Sequence, residues 1–226
     1  MGSSNRARHF YFSWQTESVS EIHIHPKYDL TRFEFDIALI RLETNQELQR
    51  NELWPICLPD SPAPANSYDG IEATVIGWGK IKVEEESSSA TDLQKLQGTI
   101  IGQGQCQNSL HRGITPGGPK ICFKSEGGAP CEGDSGGGMF RRTGNTMQLT
   151  GVCSLGPTTD KCMPGSTKVY TKVAHPGVLD WMRKTMGMED MEELSMENCG
   201  VTRISETVID KVKDKVKCIF NGRQCY

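Results

Sequence analysis

The sequence lacks the features that usually identify membrane proteins and nucleic-acid-binding proteins. No stretch of its 226 residues approaches the ~18 uninterrupted apolar residues of a membrane span. Lysine and arginine (25) nearly balance aspartate and glutamate (28), which leaves a formal net charge of −3. Nucleic acids and anionic membranes generally attract basic surfaces, and this composition offers none. We therefore expect no nucleic acid and no membrane among its partners.

Metal-ligand spacing is also missing, although cysteine is abundant. None of the nine cysteines forms a C-x-x-C pair, and no histidine–cysteine cluster has the spacing of a zinc site. Dispersed cysteines are typical of disulfide-bonded proteins in an oxidising compartment. We therefore expect an extracellular, secreted protein with no metal and no cofactor. The odd number leaves at least one cysteine without a partner in the chain.

A signal peptide is missing as well. The first nine residues are polar and basic and contain no apolar core. This conflicts with the expected compartment unless the sequence starts late in a longer secreted protein, which is the interpretation we favour.

Short apolar segments separated by turns predict an all-β fold. Residues 18–24 alternate apolar and polar side chains, as in a half-buried strand, and residues 37–42 suit a strand buried on both faces. Similar segments follow at 73–78, 93–101, 147–153 and 168–173, with turns such as 58–66 and 116–120 between them. Many short strands and few helices indicate an antiparallel sandwich or barrel.

Other segments depart from this pattern. Residues 82–91 are charged and serine-rich, which predicts an exposed loop. From His175 onward the period becomes helical, with Val178, Trp181 and Met182 on one face.

The C-terminal segment has a second helical pattern. Apolar residues recur every four positions from Ile204 to Val216, after a Met-rich acidic linker. We expect a main domain over residues 1–187, followed by a linker and a cysteine-containing helical tail over residues 188–226.

Residues 133–137 (GDSGG) carry the strongest indication of chemistry. A serine between glycines can be presented on a tight turn, where backbone N–H groups converge on the point of attack. Those amides can stabilise the oxyanion of a tetrahedral intermediate. Ser135 alone would be a poor nucleophile, because it needs a base and the base needs an orienting carboxylate.

The same five residues also satisfy the G-x-S-x-G nucleophile elbow of α/β-hydrolases. That fold requires an acid and then a histidine after the serine, and Asp160 and His175 follow Ser135 in that order. The surrounding sequence is rich in strands and lacks β-α-β alternation, which disfavours this alternative.

Six motifs in order along the chain resemble those of the chymotrypsin-like (trypsin/chymotrypsin, S1) serine peptidase family. They are residues 35–40 (FDIALI), 55–59 (PICLP), 76–79 (IGWG), 131–137 (CEGDSGG), 152–156 (VCSLG) and 169–173 (VYTKV) with Trp181. The resemblance implies a serine endopeptidase that hydrolyses protein or peptide substrates. It also implies an antiparallel double β-barrel with a C-terminal helix, of which this chain holds the second half of the first barrel and a complete second barrel.

The resemblance implies roles for several residues. Ser135 takes the position of the nucleophile, and Asp36 that of the carboxylate that orients a histidine. The backbone amides of Gly133 and Ser135 take the position of the oxyanion hole, and Asp134 that of the aspartate that pairs with the new amine after zymogen cleavage. The substrate pocket is implied to contain Ala129, Ser154, Gly156 and Lys168.

Two disulfides, Cys106–Cys122 and Cys131–Cys162, are also implied by the resemblance. Cys57 lies where family members tether an upstream propeptide, which makes an upstream propeptide or module a possible partner.

The other cysteines have different expectations. Cys153 falls in the strand beside the implied pocket, where we expect a buried small apolar residue rather than a reactive thiol. Cys199, Cys218 and Cys225 have no counterpart in the family.

The histidine of the family's triad has no match in this sequence. It should precede Asp36 by a long stretch, in a Thr-Ala-Ala-His-Cys-like context, and none of the five histidines does so. His25 resembles part of an ordinary surface turn, and we expect all five histidines to be solvated. The activation terminus, an Ile-Val-Gly-Gly-like segment, is missing too.

These departures lead us to expect an N-terminally truncated peptidase domain that is inactive as this exact chain. A fragment of an active endopeptidase, a short isoform that cannot cleave, and a non-catalytic homologue that acts in binding or regulation are the alternatives. The intact Asp36 and GDSGG segment favour the first.

The implied pocket argues against trypsin-type specificity. Ala129, six residues before Ser135, stands where trypsin-type enzymes have an aspartate for arginine or lysine. Lys168 stands where many members have glycine, and if it points into the pocket it would pair with an acidic side chain. Alternatively, Pro164-Gly165 matches the family's Pro-Gly pair and Lys168 is solvated in a loop. We expect a preference for small or acidic residues.

Overall fold

The computed structural model describes residues 17–45, 55–81, 89–110, 114–156, 162–188 and 217–220. Within these ranges it contains nine strands and two helices. The strands are β1 (Val19–Ile24), β2 (Ala38–Leu42), β3 (Glu72–Gly77), β4 (Gln94–Ile101), β5 (Lys120–Lys124), β6 (Gly138–Thr143), β7 (Thr146–Leu155), β8 (Lys168–Lys172) and β9 (Lys217–Phe220). The helices are α1 (Gln103–Leu110) and α2 (Pro176–Met186). Neither is long and apolar enough to cross a membrane.

Six strands close into an antiparallel barrel in the order β3-β4-β5-β8-β7-β6, with β6 paired back to β3. Closure satisfies the backbone hydrogen-bonding groups at what would otherwise be sheet edges. Large side chains fill the interior, among them Phe123, Met139 and Tyr170. The predicted all-β antiparallel architecture is therefore confirmed.

A second sheet, in the order β1-β2-β9, lies beside the barrel. The buried side chains of Ile37 and Leu39 share a core with Val152 of the barrel, with Val173 just after β8, and with α2. This common core fixes the position of the segment that precedes β2 relative to the barrel.

The predicted helical tail is wrong for residues 217–220, which form a strand. β9 pairs antiparallel with β2, and Ile40 lies opposite Cys218. The physical reason is that β2 offers an edge of unpaired backbone groups, which an extended segment satisfies and a helix does not. The helical pattern from Ile204 to Val216 lies outside the described residues, as does most of the predicted loop at 82–91.

The predicted C-terminal helix is present as α2 and is capped at both ends. His175 is the N-cap, and its Nδ1 accepts a hydrogen bond from the Gly177 amide. Pro176 occupies the first turn, where its missing N–H costs nothing. Gly187 ends the helix at φ 64°, a left-handed conformation that favours glycine.

Candidate active site

Ser135 lies on the turn between Cys131 and β6. The Gly136 amide donates to the carbonyl of Cys153, and the Gly137 amide donates to the carbonyl of Asp134, each at 3.0 Å. Gly136 has a φ of 82°, which a residue with a Cβ rarely adopts. The glycine that directly follows Ser135 is therefore required by the shape of the turn.

The Asp134 carboxylate holds this turn in place through two hydrogen bonds. Its Oδ1 accepts a hydrogen bond from the Gly79 amide and its Oδ2 accepts one from the Cys131 amide, both at 2.8 Å. A Cβ on Gly79 would lie 2.5 Å from the Asp134 carboxyl carbon, and one on Gly77 would overlap the same group. The IGWG motif thus owes its glycines to the close approach of the Asp134 carboxylate.

The backbone amide of Gly133 is directed by its neighbours. The Lys80 amide donates a 2.8 Å hydrogen bond to the Glu132 carbonyl, and the described peptide bonds are all trans. In a trans peptide the C=O and the following N–H point in opposite directions, so the Gly133 N–H points away from Lys80. Within the described part of the chain, neither the Gly133 amide nor the Ser135 amide donates a hydrogen bond. The role of these two amides as oxyanion donors stays a prediction.

The position of the Glu132 carbonyl is a feature that the sequence patterns did not reveal. The Lys80 ammonium lies 2.7 Å from Glu132 Oε2, so Lys80 contacts Glu132 through both its backbone and its side chain. Lys80 directly follows the IGWG motif. That position beside the motif is the sequence signal that would have indicated the contact between Lys80 and Glu132.

Asp36 lies just before β2 and is only 3% exposed. Its Oδ2 accepts a 2.7 Å hydrogen bond from the Ser154 hydroxyl, and its carbonyl accepts a 2.8 Å bond from the Thr171 hydroxyl. Ser154 also lines the cavity that contains Ser135. The Ser154 side chain therefore lies between the Asp36 carboxylate and that cavity.

The cavity beside Ser135 has a volume of about 270 Å³. Of the implied pocket residues, Ser154, Gly156 and Lys168 line it together with Ser135. Ala129 lies instead in an adjoining cavity of about 380 Å³, which it shares with Asp134.

Lys168 is buried rather than solvated. It begins β8 opposite Phe123, and it is 7% exposed. Its Nζ lies 2.6 Å from the position that a Cβ on Gly156 would take, so the side chain runs along the Gly156 backbone. Of the two interpretations of Lys168, this geometry agrees with the one in which it points into the cavity.

Disulfides join Cys106 to Cys122 and Cys131 to Cys162, which are the pairs that the family resemblance implies. Cys131 and Cys162 both line the cavity of Ser135. Cys57 is also disulfide-bonded, and its partner lies outside the residues whose side chains are described.

Cys153 is buried between the barrel core and the cavity. Burial raises the pKa of its thiol to about 12, and burial likewise raises the pKa of the neighbouring Tyr170 hydroxyl well above its usual value. Cys153 is therefore a neutral thiol at physiological pH.

The expectation that every histidine is solvated is wrong for His25, which is 3% exposed. Its ring stacks on Phe35 with centroids 4.6 Å apart and meets the edge of Trp181 at 4.7 Å. The Lys27 amide donates to Nδ1, which leaves the proton on Nε2, and Nε2 donates to the Gly177 carbonyl at 2.8 Å. These contacts replace water around the ring, which is why a turn that resembles a surface turn is buried.

Each described histidine makes contacts of its own within the fold. Both nitrogens of His25 are engaged, and Nδ1 of His175 is engaged as the cap of α2. His23 contacts Glu21 on β1. His9 and His111 lie outside the described residues. Within the described ranges, the Ser135 hydroxyl has no hydrogen-bond partner, and no group of three His, Cys, Asp or Glu side chains could hold a metal ion.

Comparisons with known proteins extend over most of the chain. The family model described as Trypsin matches residues 2–182. The chain is 34% identical over 172 residues to CLIP domain-containing serine protease B4 of Anopheles gambiae, and 30% identical over 185 residues to tryptase of Mus musculus. It is 33% identical over 179 residues to coagulation factor XII of Rattus norvegicus.

The alignments with these three relatives cover 73%, 78% and 75% of the chain, respectively. They cover 45%, 65% and 29% of the relatives themselves, so the chain spans less than two thirds of the length of each.

Proposed function

Because the chain belongs to the trypsin family of serine peptidases, we propose that it serves peptide-bond hydrolysis, with Ser135 as the nucleophile and protein or peptide chains as substrates. Its closed antiparallel barrel and neighbouring sheet agree with the double-barrel fold of that family. The observation that carries the proposal is the Ser154 side chain, which lines the cavity of Ser135 and donates to the Asp36 carboxylate.

In the proposed reaction the Ser135 Oγ attacks the substrate carbonyl carbon while a base removes the hydroxyl proton. The carbonyl oxygen becomes an oxyanion that accepts hydrogen bonds from the Gly133 and Ser135 amides. Collapse of this intermediate breaks the C–N bond, the amine leaves with the proton, and the acyl group stays on Ser135. Water then releases the acyl group by the same steps in reverse. Asp36 orients the base and stabilises its charged form.

The base is the part that this chain does not supply among its described residues. His25 and His175 are engaged elsewhere, and the sequence contains no histidine in a Thr-Ala-Ala-His-Cys-like context. We propose that this 226-residue chain provides the nucleophile, the oxyanion hole and the orienting carboxylate. By itself it hydrolyses substrates no faster than a Ser135→Ala variant.

Chemical rescue tests this proposal, since imidazole in solution can replace a missing histidine side chain. The full chain and its Ser135→Ala variant are assayed with p-nitrophenyl acetate and with fluorescein-labelled casein, with and without imidazole. We expect equal rates without imidazole. With imidazole, the ester hydrolysis of the unmodified chain should exceed that of the variant by at least about tenfold, a fraction of what a positioned base supplies.

Two outcomes contradict parts of this proposal. Hydrolysis that depends on Ser135 without imidazole would show that the chain has its own base. Equal rates at every imidazole concentration would show that Ser135 is not an activated nucleophile. The second outcome would favour the other candidate function, a non-catalytic homologue that binds peptides in the same cavity. That candidate is supported by the hydrogen bonds that engage His25 and His175 elsewhere.

We also propose an extracellular location, because the two described disulfide pairs are stable only in an oxidising compartment. An upstream propeptide or module linked through Cys57 remains a proposal, and it competes with the disulfide that Cys57 already makes in the structure. Non-reducing electrophoresis of native material distinguishes a linked partner from a single chain.

A further inference from the structure

The disulfide of Cys57 is a feature that the proposed hydrolysis does not use. Cys57 is only 2% exposed, and its sulfur is part of a disulfide. Its backbone is fixed against the barrel, because its carbonyl accepts a 2.8 Å hydrogen bond from the Leu149 amide and the residue forms a parallel bridge with Gln148 of β7. The partner of Cys57 therefore decides what is covalently attached at this side of the barrel.

The other cysteines narrow the choice of partner within the chain, which contains nine cysteines. Those already joined to each other are Cys106 with Cys122 and Cys131 with Cys162. Cys153 carries a thiol rather than a disulfide. The cysteines left for Cys57 all follow α2, and they are Cys199, Cys218 and Cys225.

The pairing of β9 agrees with a partner that follows α2. β9 occupies one edge of β2, with Ile219 opposite Leu39, while β1 occupies the other edge. Leu58, the residue after Cys57, packs against the core that contains Leu39. The segment of Cys57 and the strand β9 therefore both adjoin the part of the fold that contains Leu39, although they lie far apart in the sequence.

Strand pairing alone would hold β9 only weakly. β9 has four residues, and a strand pair of this size is marginally stable in water, because ordering the backbone offsets most of what its hydrogen bonds contribute. A disulfide lowers the entropy that the segment loses on pairing, and it raises the effective concentration of the segment to the order of millimolar. A covalent tether thus accounts for the presence of so short a strand on β2.

We infer that Cys57 tethers the C-terminal segment of this same chain through one of those three cysteines, and that the tethered segment is the built-in occupant of the β2 edge. β2 begins at Ala38, shortly after Asp36, and Ala38 lies opposite Phe220, so β9 supports the segment that carries Asp36. A strand from another molecule has to displace β9 from this edge. The sulfur of Cys57 cannot at the same time hold an upstream module. The inference does not depend on peptide-bond hydrolysis.

Disulfide mapping of the unmodified chain tests the assignment. The native chain is alkylated with iodoacetamide, digested with trypsin without reduction, and analysed by mass spectrometry. Trypsin cleaves after lysine and arginine, so Cys57 and the three C-terminal cysteines fall in four different peptides. We expect the Cys57 peptide to be joined to one of the three C-terminal peptides and to be released by reduction.

Non-reducing electrophoresis of the same material distinguishes a tether within one chain from a tether between two copies. We expect the mass of a single chain. A disulfide-linked dimer that contains the same pair of peptides would show that the segment comes from a second copy, which contradicts the inference.

Hydrogen exchange tests whether the tether holds β9 in place. In Cys57→Ser the amides of residues 217–220 should exchange at least about tenfold faster than in the unmodified chain. The control replaces both Cys106 and Cys122 by serine, which removes a different disulfide and should leave the exchange of residues 217–220 unchanged. If Cys57→Ser fails to fold, as judged by circular dichroism, replacing the mapped C-terminal cysteine by serine removes the same tether and leaves the buried Cys57 in place.

Three results would overturn the inference. The first is a Cys57 peptide that is alkylated without reduction, and the second is a Cys57 peptide joined to a cysteine that precedes α2 or to a separate polypeptide. The third is unchanged exchange of residues 217–220 after the tether is removed, which would show that β9 stays on β2 without it.

Discussion

The Ser154 hydroxyl donates a 2.7 Å hydrogen bond to Asp36 Oδ2, although the two residues lie 118 positions apart in the sequence. The bond joins the end of a barrel strand to the segment before β2, and it satisfies one oxygen of a carboxylate that is almost completely buried. A buried carboxylate without such donors would be destabilising.

Replacing Ser154 by alanine should therefore lower the free energy of unfolding by about 1–3 kcal/mol, the cost of removing a donor from a buried polar group. Urea denaturation followed by circular dichroism measures this change. Ser20→Ala is the matched control, because the Ser20 hydroxyl bonds backbone carbonyls on an exposed strand. It should change stability by less than about 0.5 kcal/mol, and an equal loss in both variants would contradict the role assigned to Ser154.

Gly79→Ala should destabilise the protein by about 1–3 kcal/mol, because the new Cβ would collide with the Asp134 carboxylate and displace the turn of Ser135. Thermal unfolding provides the measurement. Gly104→Ala is the control, since a Cβ at that position meets no atom within 4 Å and lies in α1. The control should leave stability unchanged or raise it by up to about 1 kcal/mol. A stable Gly79→Ala variant would show that the turn tolerates a displaced Asp134.

Cys153 should resist alkylation in the native protein. Burial raises the pKa of its thiol to about 12, so at pH 8 almost none of the reactive thiolate is present. We expect that iodoacetamide at pH 8 leaves the Cys153 peptide unmodified in mass spectra of the native chain and modifies it after denaturation in urea. Rapid modification of native Cys153 would mean that the cavity admits solvent and reagent to its sulfur.

Acid should destabilise the fold through His25. Burial lowers the pKa of His25 below its usual 6.5, so the unfolded chain binds a proton at a higher pH than the folded chain does. The free energy of unfolding should consequently fall as the pH drops below about 6.5, down to the lower pKa of the folded state. Protonation at Nδ1 would also break the hydrogen bond from the Lys27 amide.

The test compares urea denaturation at pH 7.5, 6.0 and 5.0 for the unmodified chain and for His25→Phe, which keeps a ring between Phe35 and Trp181. The variant should lose part of the pH dependence, and its lower stability at pH 7.5 does not affect that comparison. Some dependence should remain, because burial also lowers the pKa of His175. An identical slope in both proteins would exclude His25 as a source of the acid sensitivity.

Much of the fold follows from local patterns. All six strands predicted from apolar alternation are present as β1, β2, β3, β4, β7 and β8, with ends that differ by one or two residues. Three strands, β5, β6 and β9, were not predicted. The two that belong to the barrel, β5 and β6, have basic residues among their apolar ones, and their burial depends on barrel closure. Lys120 in β5 is buried because its ammonium donates to the Arg32 carbonyl, 88 positions away. No local sequence pattern indicates that a lysine will donate to a carbonyl so far away in the chain.

The site shows the same division between local and distant information. The GDSGG turn is recognisable from sequence because its glycine constraint is local, whereas the glycines of IGWG are constrained by the Asp134 carboxylate, 55 positions from Gly79. The burial of His25 depends on Trp181, and the position of Lys168 depends on the pairing of β8 with β5. Both are contacts between residues that are far apart in the sequence. For this reason the expectation that His25 is solvated was wrong, and the sequence alone left two interpretations of Lys168.

The hydrogen bond from the Lys80 amide to the Glu132 carbonyl has a consequence for how activity and folding are related. That one bond sets the orientation of the peptide unit whose N–H is the proposed Gly133 oxyanion donor. A net contribution of about 1 kcal/mol is small beside the stability of a whole domain. Unfolding experiments would therefore scarcely register its loss, so catalytic competence and folding have to be measured separately.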